Sequence, residues 1–512
     1  RTHLVSRVTI LKRPYRHRSC YVHLYESRSE WRANMHKNQT IMADRRMGPV
    51  AAFVLLILGT GCEVTNPGPI QDEFLVKPES RAGLVNGAQR RLNEAIGWIG
   101  YTGAIVAREI MPGGQTGAYG HSVAAQGGHI QPGSYSGHFG DAQQARFIAE
   151  TAIQLFKDAA WQGDEGVDGD MVAQANIWAG YANRLLGENW CEAVINGGPL
   201  EDGLVYLKRA EEQFTEAMNR ASDVTLRTAA VAGRAQVRAF LATYDEASWS
   251  NAYSDAASVE NDFTYVVEMS NLEQATRNTI MWANGRQPYL AYTMWNTYYG
   301  EQPDLANNGA PIPGSGYWEE TGDPRVGWFA DSEFPWSNAA LLGFGQTPWR
   351  NQTKYDDPED PIRLASGAEM RLIQAEAALV GGDWQDAMTI INNLRATYTT
   401  QTTTHQAGGE PLVEWTATTD VEAWTRLKRE RAIELFLEAR TLGDQRRWAE
   451  NAGVLGGATV PGDLELPDFE AVSEIFSDNP RGTLINGQAR LCFDVPNSER
   501  EGNPNVPTII GS

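Results

Sequence analysis

Cysteine and histidine are scarce in this sequence, which has 4 Cys and 8 His among 512 residues. So few cysteines in a chain of this length exclude a disulfide-dense scaffold. His121, His129 and His138 share one glycine-rich stretch, but their spacing fits no recognised zinc pattern. The sequence therefore predicts no metal site.

Motifs for common enzyme chemistries are also missing. We find no phosphate-binding loop, zinc-protease motif or dinucleotide fingerprint. The segment GHSVA (120–124) is similar to the nucleophile elbow Gly-x-Ser-x-Gly, but it lacks the last glycine and follows glycines instead of a buried strand. An acidic chain can supply paired carboxylates for glycoside hydrolysis, and no pair stands out here. We therefore predict no catalytic residue and no cofactor.

The sequence has few long apolar runs, and the one from Val50 to Leu58 is too short to cross a bilayer, which needs about 20 residues. Arg45 and Arg46 precede it, and Gly-Thr-Gly-Cys62 follows it. A basic start, a short apolar stretch and small residues before a cut are typical of a secretory signal. The segment resembles a bacterial lipoprotein signal, which implies that Cys62 is the lipidated first residue.

The residues before this signal are basic, lack a sustained periodicity and contain four of the eight histidines. We interpret most of 1–46 as sequence upstream of the true start, which is Met42 or Met47. The alternative is a basic arm that binds nucleic acid. From Cys62 onward the chain has 32 basic and 61 acidic residues, a net charge of −29. Such a surface repels phosphate backbones and anionic headgroups, so we predict no nucleic-acid partner and membrane contact through the lipid only.

Helical periodicity dominates the rest of the chain, with a further motif at the turns. GENWCEA (187–193), EASWSNA (246–252) and GGDWQDA (381–387) share Trp-x-x-Ala after a turn. We expect each Trp to open the second helix of a hairpin, with the Ala one turn later allowing close helix approach. This pattern resembles the tetratricopeptide repeat, whose hairpins stack around a common core.

Aromatic residues concentrate between 271 and 360, where Pro, Gly and Asn replace the helical pattern. Indole and phenol rings stack on the apolar faces of sugars, so this segment is the candidate ligand-binding part. About half of the eleven Trp and Tyr residues from Trp282 to Trp349 are expected to pack the loops instead. The candidate ligand-binding residues are Trp282, Tyr292, Trp295, Tyr298, Tyr299, Trp318, Trp328, Trp336 and Trp349.

A charged run, an acidic run and a pair of cysteines each allow two interpretations. The charged run RTLGDQRRW (440–448), with acidic residues upstream, is a structural ion-pair network or an anion site. The acidic run from Asp356 to Asp360 is a solvated turn or a calcium site, and the turn is favoured because ligand-loop spacing is missing. Cys191 and Cys492 form a disulfide or remain two buried thiols.

Together with the lipoprotein signal and CEVTNPGP, four segments carry a family resemblance. They are TGDPRVGWF (321–329), the segment 354–396 containing EMRLIQAEAALVGGDW, RERAIELFLEARTLGDQRRW (429–448) and RLCFDVPNSEREGNPN (490–505). The chain resembles the SusD/RagB family of nutrient-binding outer-membrane lipoproteins. Ala439 stands where that family usually has Gly. The helix in 429–448 is expected to be continuous, with Ile433, Phe436 and Leu437 facing inward.

The resemblance implies a mostly α fold of tetratricopeptide-like hairpins with a large irregular ligand-binding portion. It also implies a SusC-like TonB-dependent β-barrel transporter as partner and a location on the outer membrane, facing outside. The expected ligand is an oligosaccharide or a peptide. The alternatives are a lipoprotein scaffold that binds other proteins and a secreted glycoside hydrolase. The predicted parts are a leader (1–46), signal peptide (47–61), tether (62–79), helical part (80–270), aromatic ligand-binding part (271–360), second helical part (361–450) and irregular end (451–512).

Overall fold

The computed structural model describes residues 77–508, with gaps at 114–118, 122–124, 126–127, 162–166, 285–288, 305–306, 308–309, 342–344, 403–405, 452–481 and 486–487. The predicted leader, signal peptide, Cys62 and most of the tether lie outside the described residues. So do Ser122 of the GHSVA segment and much of the irregular end.

Helices make up most of the described fold, and the prediction of a mostly α protein with tetratricopeptide-like hairpins is confirmed. In the described part of the chain they are α1 (Arg81–Val106), α2 (Ser136–Trp161), α3 (Gly169–Asn189), α4 (Leu204–Arg220), α5 (Val224–Thr243), α6 (Trp249–Ala257), α7 (Thr279–Asn284), α8 (Tyr317–Thr321), α9 (Gly367–Val380), α10 (Trp384–Arg395), α11 (Asp420–Glu434), α12 (Thr441–Glu450) and α13 (Asn497–Gly502). None of these helices is both long and apolar enough to cross a bilayer.

Helix starts follow from local sequence, because side-chain oxygens cap the first backbone N–H groups. Asp223, Ser366, Asp383 and Thr419 accept N–H groups two or three positions into their helices. Asp383 also follows Gly382, whose φ of 85° is left-handed and suits glycine. The turn GGD therefore ends α9 and starts α10, as the sequence indicated.

The strands are short and lie mainly between the helices, in two- or three-stranded sheets. They are β1 (Met111–Pro112), β2 (His129–Ile130), β3 (Glu192–Val194), β4 (Leu200–Asp202), β5 (Thr264–Val267), β6 (Tyr292–Thr293), β7 (Gln302–Asp304), β8 (Ala310–Ile312), β9 (Trp328–Ala330), β10 (Trp336–Leu341), β11 (Gly345–Pro348), β12 (Arg350–Gln352), β13 (Ile362–Ser366), β14 (Thr399–Gln401), β15 (Ala407–Pro411), β16 (Gly482–Ile485) and β17 (Gln488–Arg490). The pairs β1–β6, β9–β12 and β10–β11 are antiparallel and shape the aromatic segment. Because these strands are short, loops rather than a broad sheet build that region.

Neighbouring helices pack in chain order from α1 to α6, and α9 then packs on α6. Helix α11 contacts both members of the α9–α10 hairpin, while α12 crosses α1, α3 and α5. The closest approach in the first group involves Phe214 of α4. A Cβ at Gly180 of α3 or Gly233 of α5 would overlap its ring, so glycine permits this three-helix contact.

Two of the three predicted Trp-x-x-Ala hairpins are confirmed. Trp249 opens α6 and Trp384 opens α10. Ala252 and Ala387, one turn later, are fully buried, which agrees with a methyl group at the seam of each hairpin. These contacts place α6 and α10 against the preceding helices.

The same prediction is wrong for GENWCEA. Trp190 follows the last residue of α3, and Ala193 lies in β3 instead of a helix. The cause is the C-terminal segment: Cys191 donates its backbone N–H to Phe493 O at 3.0 Å and forms a disulfide with Cys492. This settles the open question about the cysteines, whose Cα atoms lie 5.4 Å apart. The disulfide joins positions separated by 301 residues.

The single helix expected in 429–448 is also wrong, although Ile433, Phe436 and Leu437 are buried as predicted. Helix α11 ends at Glu434, and α12 starts at Thr441. Leu437 and Ala439 between them have φ values of 59° and 61°. The left-handed region favours glycine, which gives a physical reason for the Gly that the family usually has at the position of Ala439.

Glu109 supports this break between α11 and α12. Its carboxylate accepts the backbone N–H of Leu437 and the hydroxyl of Thr441, both at 2.9 Å. Burial raises the pKa of Glu109 from 4.5 to about 7, although both hydrogen bonds act to lower it. The break is therefore held by a carboxyl group that binds a proton more tightly in the folded protein than in the unfolded chain.

Residues on both sides of the break form a buried network of ion pairs, so the structural reading of RTLGDQRRW is confirmed. Arg447 binds both carboxylate oxygens of Glu376 in α9, at 2.6 and 2.8 Å, and Trp448 Nε1 donates to the same carboxylate. Arg440 pairs with Glu188 of α3 at 2.9 Å. The two arginines therefore join α12 and the residue before it to two other helices.

We predict that Glu376→Gln lowers the free energy of unfolding by about 3 kcal/mol or more, because it leaves the buried Arg447 guanidinium without its main counter-charge. Urea denaturation at neutral pH measures this change. The control is Lys208→Ala, which removes an exposed pair with Glu246 and should cost less than about 1 kcal/mol. Equal effects of the two substitutions would show that the buried Arg447 guanidinium does not require the Glu376 charge.

We predict a pH-dependent effect for Glu109→Gln, which keeps a hydrogen-bond acceptor. Between pH 4.5 and 7 the unfolded carboxyl ionises before the folded one, so this group stabilises the fold below that window and loses its contribution as pH rises. Relative to the parent, the variant should gain on the order of 3 kcal/mol between pH 4 and pH 8. Urea denaturation at both pH values tests this, with Glu109→Ala as the control that loses the acceptor. A variant-minus-parent difference that is the same at both pH values would refute it.

Candidate functional site

Most rings of the aromatic segment pack the loops against the helices. Of the nine candidates, six are buried: Tyr292, Trp295, Tyr299, Trp318, Trp328 and Trp349. Tyr299 donates its hydroxyl to Ala432 O of α11, and Trp328 Nε1 donates to Tyr299 O. The irregular segment has no aliphatic stripe, so large rings supply its apolar contacts. Because these six rings are buried, none of them has a face exposed to a ligand. The predicted ligand-binding residues that are at least partly exposed are Trp282, Tyr298 and Trp336.

Tyr298 lies against the helical frame. Its ring stacks on Tyr317 at 5.3 Å between centroids, and the Arg429 guanidinium lies 5.3 Å from its centroid. The adjoining cavity, lined also by Arg108 and Gln445, has a volume of about 10 Å³. That space is sufficient for about one water molecule. Tyr298 is therefore not placed to stack on a sugar ring.

A row of five rings lies where α1 meets the glycine-rich loop and the aromatic segment. We call it the ring row, and its members in order are Tyr135, His138, Trp98, Tyr119 and Tyr289. Their successive centroids are 5.0, 5.6, 5.3 and 4.6 Å apart. All except Tyr119 are partly exposed. The row offers ring edges and polar tips along one line.

Backbone contacts fix the loop in the middle of the row. Tyr101 of α1 donates its hydroxyl to Tyr119 O at 2.7 Å. Gly113 donates its N–H to Ala291 O at 2.7 Å. A Cβ at Gly113 would lie 2.9 Å from Leu290 O and 3.0 Å from Ser337 Cβ, so only glycine fits this approach. The contact brings the loop, the chain next to Tyr289 and the start of β10 together.

Trp336 is the most exposed of the predicted ligand-binding rings. It precedes Ser337, the residue against which Gly113 packs, and 50% of its surface is exposed. Ser337 itself is buried and lies 3.0 Å, Oγ to Oγ1, from Thr347 of β11. Single exposed apolar side chains are common on protein surfaces, so exposure by itself does not identify a site. Trp336 is the predicted ligand-binding ring that is most accessible to a ligand.

Arg277 connects Trp282 with the ring row. Its guanidinium carbon lies 4.2 Å from the centroid of Trp282, a cation–π contact. It is also close enough to Tyr119 to act on that phenol: burial raises the pKa of Tyr119, while Gln274 and Arg277 lower it. A cation and an amide therefore flank the row.

The imidazoles of this region are neutral at neutral pH. Burial lowers the pKa of His121 to about 4, and burial together with His121 lowers the pKa of His138 to about 3. Burial raises the pKa of Tyr135 to about 12. The row therefore presents neutral hydrogen-bonding groups and ring edges, a chemistry that suits a neutral ligand rich in hydroxyl groups.

The acidic run at Asp356 forms a turn. The Asp360 carboxylate accepts the backbone N–H groups of Asp356 and Asp357, at 2.7 and 2.9 Å. Asp357 in turn accepts the N–H of Glu359. Within the described ranges, no cluster of three or more His, Cys, Asp or Glu is arranged to hold a metal ion.

None of the five members of the ring row is among the nine sequence candidates, and four of them, Trp98, Tyr119, Tyr135 and His138, also lie outside the aromatic segment. Trp98 lies in a helical run whose apolar residues indicate core. Tyr119, Tyr135 and His138 lie in or next to the glycine-rich loop. An aromatic residue among glycines is the sequence feature that could have indicated a ligand-binding loop there. Tyr289 was included in the aromatic segment without being selected.

The family model that describes the SusD family matches residues 346–507. No curated protein sequence matches the chain. Among solved structures, a SusD superfamily protein from Bacteroides thetaiotaomicron has a TM-score of 0.57 at 14% identity, covering 84% of this chain and 98% of the other. One from Bacteroides vulgatus has a TM-score of 0.54 at 14% identity and the same coverages.

A third structure, a SusD superfamily protein from Bacteroides fragilis, has a TM-score of 0.53 at 11% identity, again covering 84% and 98%. At these identities the similarity establishes the fold. The family model adds sequence agreement over β11 to α13, which includes the α9–α10 hairpin and the ion-pair network. Residues 346–507 therefore match the SusD family in sequence, and the chain shares the fold of SusD superfamily proteins.

Proposed function

We propose that this protein binds a nutrient outside the cell and passes it, uncleaved, to a SusC-like TonB-dependent transporter. In this proposal Cys62 carries the lipid that anchors the chain to the outer membrane. An oligosaccharide is the preferred ligand, ahead of a peptide. The protein itself is non-catalytic and delivers the ligand intact.

The observation that carries this proposal is the exposure of Trp336. A sugar ring has an apolar face that an indole can cover and hydroxyl groups that need polar partners. Trp336 supplies the first. The phenol of Tyr289 and the Arg277 guanidinium are the proposed hydroxyl partners, since Gly113 packs against both Leu290 and Ser337 and so brings the chain next to Tyr289 close to the chain next to Trp336. Loops that gather such groups on a rigid scaffold are common binding sites.

The acidic character of the chain supports the same ligand class. A net charge of −29 from Cys62 onward disfavours polyanionic ligands, and a neutral glycan avoids this penalty. The neutral state of His138 adds no positive charge at physiological pH. Binding of a neutral glycan should therefore depend little on salt concentration.

We predict that Trp336→Ala weakens oligosaccharide binding about tenfold, which corresponds to the loss of one aromatic stacking contact. Isothermal titration calorimetry with a panel of neutral gluco-, manno- and xylo-oligosaccharides of six units measures the dissociation constant. Trp336→Phe should retain most of the affinity.

Leu272→Ala is the matched control, because Leu272 lies in the same segment and is 91% exposed. It should bind like the parent. Unchanged affinity in Trp336→Ala would exclude this ring from the site. The same incubations should yield no new reducing ends, and their appearance would replace the binding proposal with a hydrolase.

We predict that affinity capture of the protein from outer membrane solubilised in mild detergent recovers a large β-barrel transporter. The expectation follows from the match of residues 346–507 to the SusD family and from the proposed anchor at Cys62. Mass spectrometry of the captured material identifies the partner. An unrelated outer-membrane lipoprotein with the same tag is the control, and capture of equal amounts of barrel by both would contradict a specific pair.

A further inference from the structure

A second cavity lies in the helical part, between α2 and α4, and we call it the α2–α4 groove. Its volume is about 610 Å³. One wall is a face of α2 that includes Phe147, Glu150 and Gln154, spaced by three or four residues. The opposite wall is a face of α4 with Arg209 and Gln213 at the same kind of spacing. Pockets of this size commonly hold small ligands.

The groove continues past Phe147. An adjoining cavity of about 370 Å³ shares Phe147 and Asn196 with the cavity of 610 Å³. It is lined also by Gln143, Gln144 and Gly197. Phe147 is 54% exposed and stands between the two spaces. A linear ligand that lies along the groove would therefore cross the phenyl ring.

A connected hydrogen-bond network holds the walls in place. Glu150 pairs with Arg146 at 2.5 Å and with Arg209 at 2.7 Å, and it accepts from Gln213 at 3.0 Å. Arg146 in turn donates to Gln143 at 2.8 Å. Because these bonds join α2 to α4, the groove is formed before a ligand arrives.

The network also keeps Glu150 ionised at neutral pH. Burial acts to raise the pKa of Glu150, but Arg146, Arg209 and Asn183 outweigh it, and the pKa lies below its ordinary value. Charges of both signs line the two cavities, and they nearly cancel: the basic ones are Arg146, Lys157 and Arg209, and the acidic ones are Glu150, Glu212, Glu216 and Glu499. Such a lining favours a neutral ligand.

Six amide side chains line the two cavities: Gln143, Gln144, Gln154, Asn176, Asn196 and Gln213. Amides both donate and accept hydrogen bonds, as sugar hydroxyls require. Gln143 and Gln213 use their amides within the walls, so the other four are the proposed hydroxyl partners. A docked amphipathic helix would instead need several apolar pockets one turn apart. Phe147 is the one large apolar side chain of the groove that is more than half exposed among the described residues, so the lining suits a glycan better than a helical peptide.

We propose that the α2–α4 groove is a second binding site for a neutral oligosaccharide, with Phe147 as the stacking ring and the surrounding amides as hydroxyl partners. This site is built from residues other than those of the ring row, so it does not depend on Trp336. A protein with two such sites would hold a long glycan chain at two positions or bind two shorter ones.

Calorimetry on the full protein, with the panel of six-unit neutral oligosaccharides, tests this site. The parent should bind at two sites. Phe147→Ala should raise the dissociation constant of one site about tenfold, whereas Phe147→Tyr, which keeps an aromatic ring, should retain the affinity of the parent. Trp336→Ala should leave the groove site unchanged. Tyr253→Ala is the matched control, since Tyr253 is an aromatic residue of α6 that is 41% exposed outside the groove.

Thr151→Trp, which places a bulky ring in the cavity, is a second test that does not depend on Phe147. It should remove groove binding while Tm stays within a few degrees of the parent. Unchanged stoichiometry and affinity in both groove variants would overturn the proposal. Loss of all glycan binding in Trp336→Ala would also overturn the groove proposal, but it would agree with the proposal that Trp336 binds glycan. Phe147-dependent binding of peptides, with none of glycans, would assign the groove to a different ligand class.

Discussion

The buried ion pairs around the α11–α12 break are the interaction on which the rest of the structure depends. Acidic side chains of α11 and the break face basic ones from several other parts of the chain. Glu430 accepts from Arg325 at 2.5 Å and from Arg395 at 2.8 Å, while Glu438 pairs with Lys354 at 2.6 Å. Buried charges are costly unless they are paired, so each pair fixes the position of two segments at once. The network thus specifies geometry more than it adds stability.

This network attaches the loops to the helices. Arg325 lies in the Asp-Pro-Arg segment and binds Glu430 and Glu434 of α11, and its guanidinium also lies 4.2 Å from the ring centroid of Tyr398. Lys354 comes from the chain just after β12 and donates to Phe436 O at 2.5 Å. Loops without regular hydrogen bonding would otherwise lose their shape to conformational entropy. Their anchoring explains how an irregular segment can hold a binding surface in place.

Sequence patterns predicted what local chemistry determines. The turn GGD with Trp384, the helical runs and the ion-pair function of RTLGDQRRW follow from spacing and capping, and the structure agrees. The helix break at Leu437 and Ala439 depends on Glu109, which is more than 300 residues away. The end of α3 before Trp190 depends on Phe493, which pairs through its backbone with Asn189 and Cys191. Neither partner is visible in a local window, so both elements were assigned to the wrong type.

Which rings of the aromatic segment are buried and which are exposed also depends on contacts with distant parts of the chain. A Trp in a loop is equally suited to packing and to binding, and only the neighbouring elements decide between the two. Trp295 is enclosed because β6 and β12 meet next to it, whereas Trp336 leads into a hairpin whose buried face is occupied by Ser337 and Thr347. Small buried residues on one face of that hairpin leave the large ring on the other. Exposure of Trp336 is thus a consequence of how β10 and β11 pack, which makes its ring available for contact without any movement of the helical frame.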